Sequence, residues 1–217
     1  MRVKTKTFSA DRIFMLKNFF ERRFTERFIE LVAVAGLAFF VFSCKTVPVQ
    51  EEISREIAGY GIKSAEQLTE FFLDKRSDAD EKTVLNLARL YVEEGSFEGI
   101  NSDVAFVQMC LETGFLKFGN LVQPEWHNYC GLGAIDVAHP GERFETEQLG
   151  VRAHIQHLHA YGTSENVKLK NPLVDRRYKY VKPRGKALTV FALSGTWASD
   201  RNYGSKLDAL LTQLSEY

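Results

Sequence analysis

A mostly helical α+β domain with a small β-hairpin lobe is the fold class this sequence predicts. Three observations carry that expectation. Apolar residues recur at helical spacing over most of the chain beyond residue 60. A stretch at 128–145, punctuated by Gly131, Gly133, Pro140 and Gly141, interrupts the rhythm with short apolar pieces. A length of 217 residues with 45% hydrophobic composition suits a single core, and excludes both a disordered chain and an integral membrane bundle.

The chain opens with a segment that reads as targeting. Residues 1–30 hold eight Lys/Arg against four acids, and residues 31–43, LVAVAGLAFFVFS, carry no charge. That apolar run is short for a bilayer span and suits the core of a signal peptide or anchor helix. It ends in Val41-Phe42-Ser43-Cys44, which resembles a bacterial lipobox, although Phe42 is bulkier than the pattern prefers. Residues 1–43 are thus expected to be a signal peptide with Cys44 as the lipid attachment site, or an uncleaved membrane anchor. Either version exports the rest of the chain and tethers it to a membrane. Residues 44–60, mixed in Pro, Val and charge, read as a tether, and 61–217 as the folded domain.

Within that domain, Ser64-Ala65-Glu66-Gln67 has the form of a capping box, with Leu68, Phe71 and Phe72 as the stripe behind it. Asp80 starts a second helix carrying Val84, Leu87, Leu90 and Tyr91, and Gly95 marks its end. A third runs from near Ser102, through Val104, Val107, Met109 and Leu111, to Gly114. The interrupted stretch at 128–145 follows as the hairpin lobe. Thr146 caps a helix through Tyr161, and residues 186–194 and 205–214 are read as two more, the last with Leu207, Leu210, Leu211 and Leu214 inward. A hairpin beside a helix end is one way to build a groove.

Charge narrows the partners. The whole chain has 28 basic and 28 acidic residues; without the eight and four of the targeting segment, 20 and 24 remain. A mildly acidic domain has no general attraction for nucleic acid. Of the three cysteines, Cys110 and Cys130 fall in the folded part. Export would permit them to pair, and they read equally as small buried hydrophobes.

Glu112 stands out among the acids. It follows a strongly apolar helical segment, precedes Gly114, and has Leu111, Phe115 and Phe118 as neighbours. The helix dipole at a C-terminus and apolar surroundings both favour the protonated carboxyl. A general acid needs that state to protonate a glycosidic oxygen. A solvent-facing glutamate at a helix end would show the same local pattern.

Five segments in order decide between these readings. Residues 91–119, YVEEGSFEGINSDVAFVQMCLETGFLKFG, resemble the glutamate-bearing helix of the glucosaminidase family of peptidoglycan hydrolases (mannosyl-glycoprotein endo-β-N-acetylglucosaminidase-like, glycoside hydrolase family 73). Residues 128–133 (NYCGLG), 150–161 (GVRAHIQHLHAY), 171–178 (NPLVDRRY) and 195–207 (GTWASDRNYGSKL) are similar to its later motifs. The resemblance runs from about residue 57 to the C-terminus. It implies a lysozyme-like fold and a catalytic domain at 61–217. The implied reaction is cleavage of the β-1,4 bond on the reducing side of N-acetylglucosamine in peptidoglycan, without a cofactor. Glu112 aligns with the general acid and Tyr203 with a tyrosine facing the reacting sugar. Asn128 and Tyr129 would line the cleft floor and Trp197 a wall, although Tyr129 and Trp197 suit core packing equally. A second acid on the hairpin, from Asp136, Glu142 or Glu145, would activate water or act as nucleophile. Glu142 is the choice among them, and the substrate's own acetamido group is the alternative.

Other activities fit less well. His154, His157 and His159, with His127, invite a zinc amidase reading, but only His154 and His157 share a helical face and no HExxH set is present. No metal site is expected. A lytic transglycosylase also uses one glutamate on a helical scaffold, and a non-catalytic wall-binding lipoprotein would keep the groove without turnover. Asp175, Arg176 and Arg177 read as an ion pair bracing a loop. A monomer acting on glycan strands in the bacterial envelope is the expectation as a whole.

Overall fold

The computed structural model describes residues 52–119 and 121–217. The expected signal peptide or anchor at 1–43 and the lipid attachment at Cys44 lie outside the described residues.

Five helices and one two-stranded sheet make up the described fold, as the mostly helical α+β reading expects. Helix α1 spans Ala65–Lys75, and its capping box is complete: Gln67 N donates to Ser64 Oγ (3.2 Å) and Ser64 N to Gln67 Oε1 (2.9 Å). Helix α2, Glu81–Glu98, is capped by Asp80 and ends on Gly99 in the left-handed region (φ 72°), the conformation a glycine tolerates without steric cost. Helix α3, Ser102–Thr113, starts on Asn101, whose side chain accepts from the amides of Asp103 and Val104, and stops at Gly114. Every residue from Ser102 to Cys110 is buried. A helix apolar nearly all round must be covered on all sides, and here α1, α2, α4 and α5 pack against it. Helix α4, Glu147–Gly162, begins at the cap Thr146, as its sequence predicts, and α5 spans Tyr203–Leu214.

Strands β1 (Ala134–Asp136) and β2 (His139–Pro140) pair antiparallel as a short hairpin. Ile135 and Val137 are exposed on it. The loop that leads to the hairpin lies hard against α4. A Cβ on Gly150 would sit 1.9 Å from the His127 carbonyl oxygen, so only glycine permits that approach.

Three expectations are corrected. Helix α2 does not stop at Gly95 but runs through it to Glu98, one turn further. Residues 186–194 do not form a helix; only a 3-10 turn is present, at Val190–Leu193. The segment before that turn is extended because its backbone finds partners elsewhere. Ile57 N donates to Leu188 O and Val190 N to Arg55 O, with Glu56 bridged to Thr189. The second half of the expected tether is likewise part of the fold. Ile53 and Ile57 are fully buried, and Arg55 bonds Asp208 at 2.8 Å. Residues 52–60 therefore pack as part of the domain.

Candidate active site

Glu112 occupies the last turn of α3, where the unpaired carbonyls of the helix end oppose a negative charge. Its Oε1 accepts two hydrogen bonds, from Trp197 Nε1 at 2.9 Å and from the Tyr203 hydroxyl. No protein donor among the described residues reaches Oε2. A cavity of about 280 Å³ opens beside this carboxyl, lined among others by Thr113, Phe118, Asn128, Cys130 and Trp197. Burial pushes the Glu112 carboxyl above the usual carboxylate range, and the bonds from Tyr203 and Trp197 partly oppose that rise.

The two donors are placed by the 194–204 segment. Asp200 O accepts from Tyr203 N (3.2 Å) and Asp200 Oδ1 from Asn202 N (2.8 Å), a turn that starts α5 at Tyr203. Gly204 rests on the Phe191 backbone, where an added Cβ would lie 2.5 Å from Cα. The spacing between Trp197 and Tyr203 thus has a mechanical reason: one turn carries both residues back to one carboxyl. The Trp197 ring is packed edge-on by His157 (5.1 Å between centroids) and at a tilt by Tyr161 (5.2 Å). His157 Nδ1 is in turn 2.7 Å from the buried Asp175 carboxylate.

The remaining candidates separate. Asn128 lines the cavity, but its amide is spent on the loop: Nδ2 donates to Leu132 O and Glu142 O, both at 3.0 Å, and Oδ1 accepts from Leu132 N at 2.9 Å. Tyr129 points into the core and borders a different cavity, beside His127 and Leu87. Burial raises its phenol. Glu142 does not line the cavity at Glu112, and its carboxylate lies 3.7 Å from Arg176. Asp136 pairs with His139 on the exposed hairpin, and Glu145 is exposed. Asp175 turns inward to His157 while Arg176 faces Glu142, so the 175–177 cluster is not one ion pair. Cys110 and Cys130 are free thiols, both buried. The histidines disperse: His154 bonds Tyr91 and Gln108, His157 bonds Asp175, and His159 bonds Tyr178.

Gln108 is the functional-site residue that reading the sequence for acids overlooks. It donates to Tyr203 OH at 2.8 Å from the centre of the core. Its signal was present in VAFVQMCLE: a lone polar residue in an apolar run, four before Glu112 and hence on the same helical face.

A helical domain with one raised, half-buried glutamic acid beside a cavity can in principle deliver a proton to a bound oxygen. The model of the family described as mannosyl-glycoprotein endo-beta-N-acetylglucosaminidase matches residues 88–216, more than half of the chain. The chain belongs to this glucosaminidase family. It is similar to a protein of Borreliella burgdorferi (strain ATCC 35210 / DSM 4680 / CIP 102532 / B31) described as an uncharacterized protein. The two are 38% identical over 176 residues, which cover 79% of this chain and 85% of that one. No solved structure matches. Family membership implies a glycoside hydrolase acting on peptidoglycan, in or outside the cell envelope.

Proposed function

We propose that this chain cleaves the β-1,4 bond on the reducing side of N-acetylglucosamine in peptidoglycan, with Glu112 as general acid. The observation that carries this reading is the environment of Glu112. Its carboxyl is raised by burial, held at Oε1 by two donors, has no donor to Oε2 among the described residues, and lines the cavity. A proton on Oε2 can be passed to the glycosidic oxygen as positive charge develops on the sugar. Tyr203 and Trp197 hold the acid in place, and Trp197 also offers an indole face to the sugar at the cavity wall. Asn128 contributes by fixing the loop that forms the cavity floor.

Glu142 is the hairpin acid to weigh as a partner for Glu112. Its proximity to Arg176 and its distance from the cavity lining favour assistance by the substrate's acetamido oxygen over a protein base. The same reading has the domain work as a monomer outside a membrane, held by an acylated Cys44 or by an uncleaved anchor.

Release of soluble fragments from purified peptidoglycan tests the proposal. Glu112→Gln is expected to reduce release by about 10²–10⁴-fold with folding intact, and Glu142→Gln to leave most of it. Reducing N-acetylglucosamine ends support hydrolysis; anhydromuramic ends would assign a lytic transglycosylase instead. A fully active Glu112→Gln protein would sink the mechanism.

A further inference from the structure

Behind Glu112, four polar side chains from four helices form a continuous chain through an otherwise apolar core. Tyr91 OH on α2 lies 2.9 Å from His154 Nδ1 on α4, and His154 Nε2 lies 3.1 Å from Gln108 Oε1 on α3. Gln108 Nε2 donates at 2.8 Å to Tyr203 OH on α5, which donates to Glu112 Oε1. Tyr91, His154 and Gln108 are fully buried and Tyr203 nearly so.

The donors in this chain run one way. Gln108 Oε1 can only accept, so His154 must carry its proton on Nε2. A neutral imidazole then leaves Nδ1 as an acceptor, and the Tyr91 hydroxyl donates to it. Burial keeps His154 neutral by pushing its pKa down to about 3. At the other end, Tyr203 already accepts from Gln108, which leaves its own proton for Glu112. We propose that Tyr91, His154 and Gln108 are positioning residues that commit the Tyr203 hydroxyl as a donor to Glu112 Oε1, so that the acidic proton sits on Oε2. The proposal rests on reading Glu112 as the acid.

The opposite polarity explains why the direction matters. With the Gln108 amide reversed, Tyr203 would donate to Gln108, and Glu112 would give its proton to Tyr203 from Oε1. That proton would be engaged by Tyr203 instead of being free for the substrate. The indole Nε1 of Trp197 can only donate, and it favours a proton-free Oε1. Burying so many polar groups is unfavourable unless all are satisfied; here each finds its partner, and the set specifies one orientation.

Four titratable groups surround Glu112. Tyr203 comes from α5, Cys130 from the loop before the hairpin, and His154 and His157 from α4, one layer behind Gln108 and Trp197. Cys130 and Tyr203 are raised by burial and stay neutral. Losing Gln108 frees the Tyr203 oxygen to accept from Glu112. The protonated carboxyl gains, its pKa rises, and the proton moves to the unproductive oxygen.

Gln108→Met and Gln108→Leu in the full-length chain, each alone and combined with Tyr203→Phe, test this. Turnover by Gln108→Met should fall roughly tenfold or more with little change in KM, and the basic limb of its pH profile should move up. In the Tyr203→Phe background the same substitution should add almost nothing. Equal losses in both backgrounds would reduce Gln108 to a packing residue and overturn the proposal. A ¹³C titration of the Glu112 carboxyl reads the network without substrate. A higher pKa in Gln108→Met supports the relay, and an unchanged one overturns it. Because that readout needs no turnover, an inactive wild-type protein would count against the proposed substrate and leave the relay separately testable.

Discussion

Glu112 is pulled in two directions. Desolvation raises its carboxyl, while hydrogen bonds from Tyr203 and Trp197 to Oε1 favour the charged form; desolvation is the larger influence, so the net shift is upward. The folded-state pKa then lies above the unfolded one, and between the two the native state binds the extra proton. This group's contribution to stability is fullest below the unfolded value and is lost as pH rises through the folded value. Glu112→Gln should therefore flatten the decline in stability with rising pH over that window, which a series of thermal melts at increasing pH would register. On the role proposed for Glu112, the activity of the wild type should fall over the same window, since only the protonated acid can donate. A carboxyl desolvated for the proposed role costs stability, and the variant that loses activity should recover part of that stability.

At the scale of elements, one buried acid gathers several of the polar bonds between α2 and α4. Glu94 on α2 takes two bonds from Arg152, at 2.9 and 2.7 Å, one from Gln148 Nε2 at 3.0 Å, and one from Asn171 Nδ2 at 3.0 Å. One turn later, Glu98 accepts the amides of Lys170 and Asn171. Together these acids fix α4 and the 165–175 loop to α2. That frame holds His154 and His157, and through them the residues behind Glu112. Glu94→Ala would leave the guanidinium of Arg152 without its carboxylate and should destabilise the fold by about 3 kcal/mol, the low end for a broken buried pair because Arg152 keeps some access to water. Urea denaturation would measure it, and a loss below about 0.5 kcal/mol would show that the pair is a surface contact in effect.

For the whole molecule, the segment at 52–60 is the unexpected component. Ile53 and Ile57 enter the core that α1, α3 and α5 share, and the Ile57 carbonyl accepts from Asn101 N at the start of α3. A Cβ on Gly162 would lie 2.6 Å from Ile57 Cγ2, so α4 also closes against this residue. Ile57→Ala should cost roughly 2–5 kcal/mol, as for other large-to-small changes in a rigid core, and a chain shortened to begin at residue 61 should lose cooperative unfolding. If that shortened chain melted like the full-length protein, the segment would be a tether after all.

Local chemistry determined much of this protein in advance. The caps Ser64, Asp80 and Thr146, the glycine stop at Gly114 and the apolar stripes depend on neighbours within a turn, so these helices and their starts were legible, while α2 ran one turn past Gly95 to Gly99. The ordered motifs pointed to Glu112, Trp197 and Tyr203, which the fold brings onto one carboxyl oxygen. Tyr129 turned to the core and Glu142 to Arg176, because those choices depend on residues brought close only by folding. The extended 186–189 segment lost its expected helix for the same reason: its backbone pairs with residues 55–57, more than a hundred positions away. Spacing along one helix placed Gln108 beside Glu112, but only the meeting of four helices gave Gln108 its donors and acceptors and set the direction of its hydrogen bonds.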